Sequence, residues 1–138
     1  MEITIDHLTA GAARARGVAV IIDVFRAYSV ECYAYHAGAE RIYPVGDLDE
    51  AYARKRAHPE YLLAGERHAK AGEGFDFGNS PMQVERADLR GKRIIHTTSA
   101  GTQGIAAAKD RLLTAETALK TAQDEVQKAQ ISLDSYTP

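Results

Sequence analysis

Apolar residues of this 138-residue chain are concentrated in short runs, and several of these runs end in polar or charged side chains. The run at residues 18–22 is uninterrupted, which predicts a strand buried on both faces of a mainly parallel sheet. Residues 2–5 alternate polar and apolar and predict a half-exposed or edge strand. Three later runs, at 41–45, 61–64 and 93–97, predict further strands, and Pro44 indicates an edge position or a strand end.

Helix signals lie between these runs. Gly38 suits the left-handed residue that follows a helix beginning at Ala27 or Ser29. Asp47 caps the next helix, and Glu50 completes a capping box. The predicted helices run from 27 or 29 to about 37, from 47 to 56 and from 81 to 86. Strands and helices in alternation predict an α/β fold, with a mainly parallel sheet and flanking helices.

From residue 105 the pattern changes to a seven-residue repeat. A helix over residues 102–132 would be roughly 45 Å long, so part of it should project or pair with another helix. Self-pairing predicts a homo-oligomer, and the alternative is an amphipathic helix packed on its own sheet. We therefore divide the chain into an α/β domain (1–104) and a long carboxy-terminal helix with coiled-coil character (105–138). Position a of the heptads holds Ile105, Leu112, Leu119, Val126 and Leu133, and position d holds Ala108, Ala115, Ala122 and Ala129.

Composition narrows the classes of partner. With 17 basic and 19 acidic residues and no basic tract, the sequence does not predict a nucleic-acid surface, and a small molecule is the expected partner. No apolar run approaches the ~20 residues of a membrane span, and the first residues have no signal-peptide pattern. The single cysteine fits a reducing compartment. We expect a soluble, cytoplasmic protein without a membrane partner.

Three predicted strand ends carry side chains suited to an anion and a metal ion. Carboxyl ends of parallel strands lie along one edge of a sheet, where α/β proteins bind ligands. Carboxylates suit a hard cation and arginines suit an oxyanion, whereas hydroxyls and a glycine opening a helix suit phosphate. Taken alone, one acid and one arginine would make an ordinary cap and salt bridge. The residues are Asp23 and Arg26, then Glu66 and Arg67 with Asp76, then Thr97, Thr98, Gly101 and Thr102.

Four segments resemble, in order and spacing, the 2-phosphosulfolactate phosphatase family. They are Ile-Asp-Val-Phe-Arg-Ala (22–27), Gly-Glu-Arg (65–67), Gly-Phe-Asp-Phe-Gly-Asn-Ser-Pro (74–81) and Thr-Thr-Ser-Ala-Gly-Thr (97–102). The third segment is the most specific. Tyr28 and Ser29 stand where the family usually has two threonines. The resemblance covers the amino-terminal half of the family and ends near residue 105, where the heptads begin.

This resemblance implies a Mg²⁺-dependent phosphatase. The implied substrate is 2-phospho-3-sulfolactate, in coenzyme M biosynthesis, or a related phosphorylated 2-hydroxy acid. Half of a site can bind such an acid without turning it over. The implied catalytic residues are Asp23, Arg26, Glu66 and Arg67; the metal ligands are Asp23, Glu66 and Asp76; the substrate-binding residues are Asn79, Ser80, Thr97, Thr98, Gly101 and Thr102.

Two alternatives remain at this stage. The chain could be a non-catalytic assembly module that uses its heptad helix, with the α/β part as a scaffold. His96, at a strand end, could serve as a general acid, but we favour a structural, hydrogen-bonded histidine.

Overall fold

A small parallel sheet forms the centre of the molecule. A computed structural model describes residues 3–134, apart from the side chains of residues 129 and 132–134. The strands are β1 (Arg41–Pro44), β2 (Leu62–Gly65) and β3 (Arg93–Thr97). β3 lies between β1 and β2, and both pairings are parallel. The α/β class is confirmed, and the strand that contains Pro44 is an edge strand as predicted.

From residue 27 onward, helices and strands alternate as expected. Asp47 caps its helix as predicted, because its Oδ1 accepts the Glu50 N–H at 2.8 Å. The reciprocal half of the capping box is absent, since the Glu50 carboxylate accepts hydrogen bonds from Nε and Nη2 of Arg54 instead. The described residues form α1 (Leu8–Ala12), which was not predicted, α2 (Ala27–His36), α3 (Leu48–Ala57), α4 (Pro81–Glu85) and α5 (Gly101–Asp134).

Two apolar clusters cover the two faces of the sheet. Neighbouring strand residues point to opposite faces, so Ile94 packs with α2 and α4 whereas Ile95 packs with α3. Ala64 and Leu63 divide between the two faces in the same way. The core is small, and it fixes the three carboxyl strand ends at one edge.

The prediction of a strand at residues 18–22 is wrong. These residues form no strand, and Val18, Val20 and Ile22 are 93%, 77% and 78% exposed. Both sheet edges are unsuited to a further strand: β1 carries Pro44, which has no N–H to donate, and Ala64 of β2 is already bridged by Phe77. The edge strand predicted at residues 2–5 is also absent over residues 3–5, while Glu2 lies outside the described residues.

Helix α5 extends well past the sheet. It has 34 residues and is about 51 Å long at 1.5 Å per residue. Side chains from Lys109 to Lys128 are exposed, so the prediction that part of this helix projects is confirmed. Within residues 3–134, no helix combines the length and the apolar character that crossing a membrane requires.

Candidate active site

Arg67 joins the carboxyl ends of all three strands. Its Nη2 donates to the Gly46 carbonyl, just after β1, at 2.8 Å and to Thr97 Oγ1, in β3, at 2.6 Å. Its Nη1 donates to the Glu66 carbonyl, just after β2, at 2.9 Å. The half-buried guanidinium therefore fixes the three strand ends relative to one another.

Glu66 connects the loop after β2 to the loop after β3. Its carboxylate accepts the Ser99 N–H at 2.7 Å, the Ser99 hydroxyl at 3.0 Å and the Ala69 N–H at 2.8 Å. Ser99 Oγ also accepts the His68 N–H at 3.1 Å. Burial alone would raise the pKa of the Glu66 carboxyl, but these donors and nearby Arg67 lower it below its ordinary value of 4.5. Glu66 is thus held as a carboxylate, and it fixes the loop that leads into α5.

We expect the hydrogen bonds to the Glu66 carboxylate to make the stability of the fold depend on pH. A carboxyl whose pKa is lower in the folded chain stabilises it above the unfolded pKa of 4.5, and that contribution is lost as pH falls through the folded pKa. Glu66→Gln should lower the free energy of unfolding at pH 7 by roughly 1–3 kcal/mol. Urea denaturation should show the difference from wild type shrinking below pH 4.5. Glu85→Gln, at an exposed glutamate, is the control and should change little; a constant difference for Glu66→Gln across pH would contradict the assignment.

Two threonines cap the amino terminus of α5. Thr98 Oγ1 accepts the Thr102 N–H at 3.2 Å, and Thr102 Oγ1 accepts the Thr98 N–H at 2.8 Å. Both side chains are buried, as is Thr97, whose hydroxyl accepts from Arg67. The structure therefore places these three predicted substrate-binding hydroxyls inside the protein, whereas Ser99 and Ala100 are exposed at the tip of the loop.

Asp23 and Tyr28 meet the first residue of α5. A Cβ placed on Gly101 would lie 2.8 Å from Asp23 Oδ2 and 2.8 Å from Ala27 Cβ, so only glycine leaves room for this contact. Tyr28 donates its hydroxyl to the Gly101 carbonyl at 2.7 Å. Burial and the carboxylates of Glu31 and Asp23 raise the pKa of Tyr28, which keeps the phenol protonated as a donor. The loop before α2 is thereby attached to the head of α5.

An open groove leads to this junction. Its volume is about 710 Å³, and it runs between residues 4–25 and the head of α5. Arg26 is exposed beside the junction, with its Cζ 5.9 Å from the centre of the Phe25 ring. Asp23, Phe25, Ser99, Ala100 and Gly101 are among the residues that line the groove. A carboxylate, an exposed guanidinium and the amide end of a helix can together receive a phosphate ester.

Other predicted site residues lie elsewhere. Asp76 Oδ2 accepts the Leu63 N–H at 2.8 Å and lies 3.5 Å from Lys55 Nζ, on the α3 side of β2. The segment that follows runs parallel to β2, which brings Asn79 and Ser80 toward the carboxyl edge. Asn79 Oδ1 is buried and has no hydrogen-bond partner within the described residues. Ser80 precedes α4 without a side-chain capping bond.

The three predicted metal ligands are not gathered in one place. Glu66 already accepts three donors, and Asp76 is bound to the β2 backbone. Among the residues that the structure describes, no three acidic, histidine or cysteine side chains converge on a common point. Asp23, beside the helix terminus and the groove, is the carboxylate best placed for a cation.

His96 is buried in the sheet instead of facing the groove. Its Nδ1 lies 2.8 Å from Glu31 Oε1, and its side chain is on the α2 and α4 face. Its Nε2 has no partner within the described residues. This placement agrees with the hypothesis that His96 is a structural, hydrogen-bonded histidine.

Two residues at the junction have no role in the sequence-based prediction. Ser99 contacts Glu66 and His68, and Tyr28 contacts Gly101. Ser99 belongs to the run of hydroxyl residues at 97–99, and this run is the sequence feature that could have predicted its role. No sequence feature predicts the contact of Tyr28, because the residue that its hydroxyl reaches depends on where α2 packs.

Comparisons with known proteins match most of the chain. The sequence profile of a family described as 2-phosphosulpholactate phosphatase matches residues 3–130, which include most of α5. A relative from Synechococcus sp. (strain WH7803) is 35% identical over 136 residues. Others from Clostridium perfringens (strain SM101 / Type A) and Bacillus subtilis (strain 168) are 37% and 36% identical over 107 and 112 residues. All three are named probable 2-phosphosulfolactate phosphatase.

The lengths of these proteins differ from that of this chain. The three matches cover 93%, 75% and 79% of the chain, but 55%, 43% and 49% of the respective relatives. The chain therefore spans about half the length of the curated relatives that it matches. The profile match continues past residue 105, so it does not mark the domain boundary predicted there.

Proposed function

The chain belongs to the 2-phosphosulpholactate phosphatase family, and from this premise we propose that it forms the phosphate-binding part of a cytoplasmic phosphatase. Its substrate is a phosphorylated 2-hydroxy acid that carries a second anionic group. The specific candidate is 2-phospho-3-sulfolactate, whose dephosphorylation belongs to coenzyme M biosynthesis. Family membership supports the reaction class, and the junction at the head of α5 supports the location.

The observation that carries this proposal is the contact between Asp23 and Gly101. It places a carboxylate against the positive end of a 34-residue helix, and both residues line an open groove. Exposed Arg26 follows Asp23 by three residues. The helix terminus and Arg26 can bind the negative charge of a phosphate ester, and the Asp23 carboxylate can orient the water molecule that hydrolyses it.

Each group at the junction has a distinct task. Arg26 binds phosphoryl or sulfonate oxygens, because its guanidinium is exposed and free to form a bidentate contact. The amide end of α5 stabilises the negative charge that grows on the phosphoryl oxygens. Asp23 orients water and accepts its proton. Tyr28, Glu66 and Arg67 are positioning residues, since each holds a part of the junction through hydrogen bonds.

Mg²⁺ fits this junction through Asp23 and not through the three carboxylates that the resemblance implies. Magnesium is commonly bound by one or two carboxylates together with substrate phosphate and water. Asp23 would hold it, and the ion would supply positive charge against the phosphoryl oxygens.

A phosphate-release assay with 2-phospho-3-sulfolactate and Mg²⁺ tests the proposal. Asp23→Asn should reduce kcat/KM about 100-fold or more, because the amide can neither accept a proton nor neutralise a cation. Asp110→Asn, at an exposed aspartate of α5, is the matched control and should leave the rate unchanged.

Calorimetric titration separates binding from turnover. Binding without hydrolysis would show that the chain holds the acid but lacks groups needed for the reaction. The proposal fails if neither the phosphorylated acid nor Mg²⁺ binds and Asp23→Asn changes nothing.

A further inference from the structure

An apolar seam runs along the exposed part of α5. Leu112, Leu119 and Val126 lie at heptad position a and are 52%, 60% and 70% exposed. Alanines at position d alternate with them, and Ala129 and Leu133 continue the pattern, although their side chains lie outside the described ones. Earlier on the helix, Ile105 and Ala108 are half-buried beside residues 15–21, and Leu112 and Ala115 border the same groove but remain exposed. The exposed seam therefore begins at Leu112 and extends about four turns to Val126.

Neither the chain's own sheet nor an anionic surface accounts for this seam. The helix projects, so its own domain does not cover the seam. Between residues 109 and 128 it carries four basic and four acidic side chains. Helices that lie on anionic membranes have an excess of basic residues on their polar face. A second helix with the same heptad pattern is complementary to this seam.

Charges beside the seam select the orientation. In a parallel pair of helices, the g residue of one heptad faces the e residue of the next heptad on the partner. Arg111 is at g and Glu116 is at e, so each copy would place an arginine opposite a glutamate. The other facing e and g positions in this stretch bring no like charges together. An antiparallel pair that overlaps the same heptads would instead bring Glu116 against its own copy at the symmetry axis.

We propose that α5 pairs in parallel and in register with α5 of a second copy of this chain. The leucines at a fill the interface, and the alanines at d allow the helices to approach closely. The surface is on the projecting part of α5 and is separate from the groove at its head.

Substitution within the seam tests association. Sedimentation equilibrium of the full chain should show a dimer for wild type and a monomer for Leu119→Asp, with the dimer dissociation constant raised about 100-fold or more by the buried charge. Thr117→Asp places the same charge on the opposite side of the helix and should remain dimeric. Circular dichroism at the same concentrations checks that the helix persists. A monomeric wild-type chain, or a Leu119→Asp variant as dimeric as wild type, overturns the proposal.

Cross-linking tests the orientation. In a Cys32→Ser background, Leu119→Cys should form an intermolecular disulfide on mild oxidation, because residue 119 faces its own copy only in a parallel, in-register pair. Arg111→Glu should weaken the dimer, and adding Glu116→Arg should restore it. A stable dimer that forms no disulfide at residue 119, or that Glu116→Arg does not restore, overturns the parallel arrangement.

Discussion

Replacing Gly65 with alanine should leave little folded protein. Gly65 ends β2 with a φ of +132°, and a Cβ there would lie 1.8 Å from the Thr97 carbonyl oxygen and 2.8 Å from its carbon. Both atoms belong to the backbone of the central strand, so no side-chain rotation can relieve the overlap. The strands would have to separate where Arg67 holds them together. We expect a loss of about 4–5 kcal/mol or more, against a total stability of roughly 5–15 kcal/mol for a domain.

Two other glycines provide the control. Gly74 and Gly91 also have positive φ values, +72° and +66°, but nothing lies within 4 Å of a Cβ at either position. Alanine there should cost only the backbone strain, on the order of 1–3 kcal/mol. Urea denaturation followed by circular dichroism compares the three variants. Equal midpoints would show that the close approach of the two strands does not limit stability.

The strand ends could be predicted because they depend on local pattern and on one geometric rule. Residues 93–97 and 61–64 have the short apolar runs of buried strands, and both runs are strands in the structure, to within one residue at either end. Parallel pairing then requires the groups that follow them to meet at one edge. The contact of Glu66 with Ser99 is the result.

Local pattern could not show whether the apolar run at residues 18–22 forms a strand. Its composition is that of a buried strand, but a strand also needs a neighbour with a free edge. Pro44 and the bridge from Phe77 to Ala64 decide that question, and they lie 20 to 60 residues away. Within this run, Ile21 faces Gly104 of α5. Local pattern carries no information on such distant partners.

Hydrogen-bonding capacity could be predicted, but the partner could not. The sequence places Arg67 and three threonines near an anion, and the structure engages all four within the protein. A guanidinium meets a carbonyl as readily as it meets a phosphate. The choice depends on which acceptors the fold brings within about 3 Å, and that is a property of the packed strands.

Substitution of Gly101 by alanine should abolish most activity while the chain stays folded, if the proposed function is correct. The φ of Gly101 lies outside the left-handed region, so alanine fits the backbone and favours the helix. Its Cβ, however, would lie 2.8 Å from both Asp23 Oδ2 and Ala27 Cβ. The loop that carries Asp23 must then move away from the head of α5.

Gly104→Ala is the matched control, since it lies one turn later on the same helix. The atom nearest to its Cβ would be Ile21 Cγ2 at 3.2 Å, on a side chain that can move. We expect Gly101→Ala to lower kcat/KM about 100-fold through the displaced carboxylate, and Gly104→Ala to retain the wild-type value. Thermal denaturation should show both variants folded, and the affinity for Mg²⁺ should fall only in Gly101→Ala, because Asp23 is the proposed cation ligand. An equal loss of activity in both variants would place the cause in the helix itself, whereas full activity in Gly101→Ala would mean that the reaction does not depend on where Asp23 meets α5.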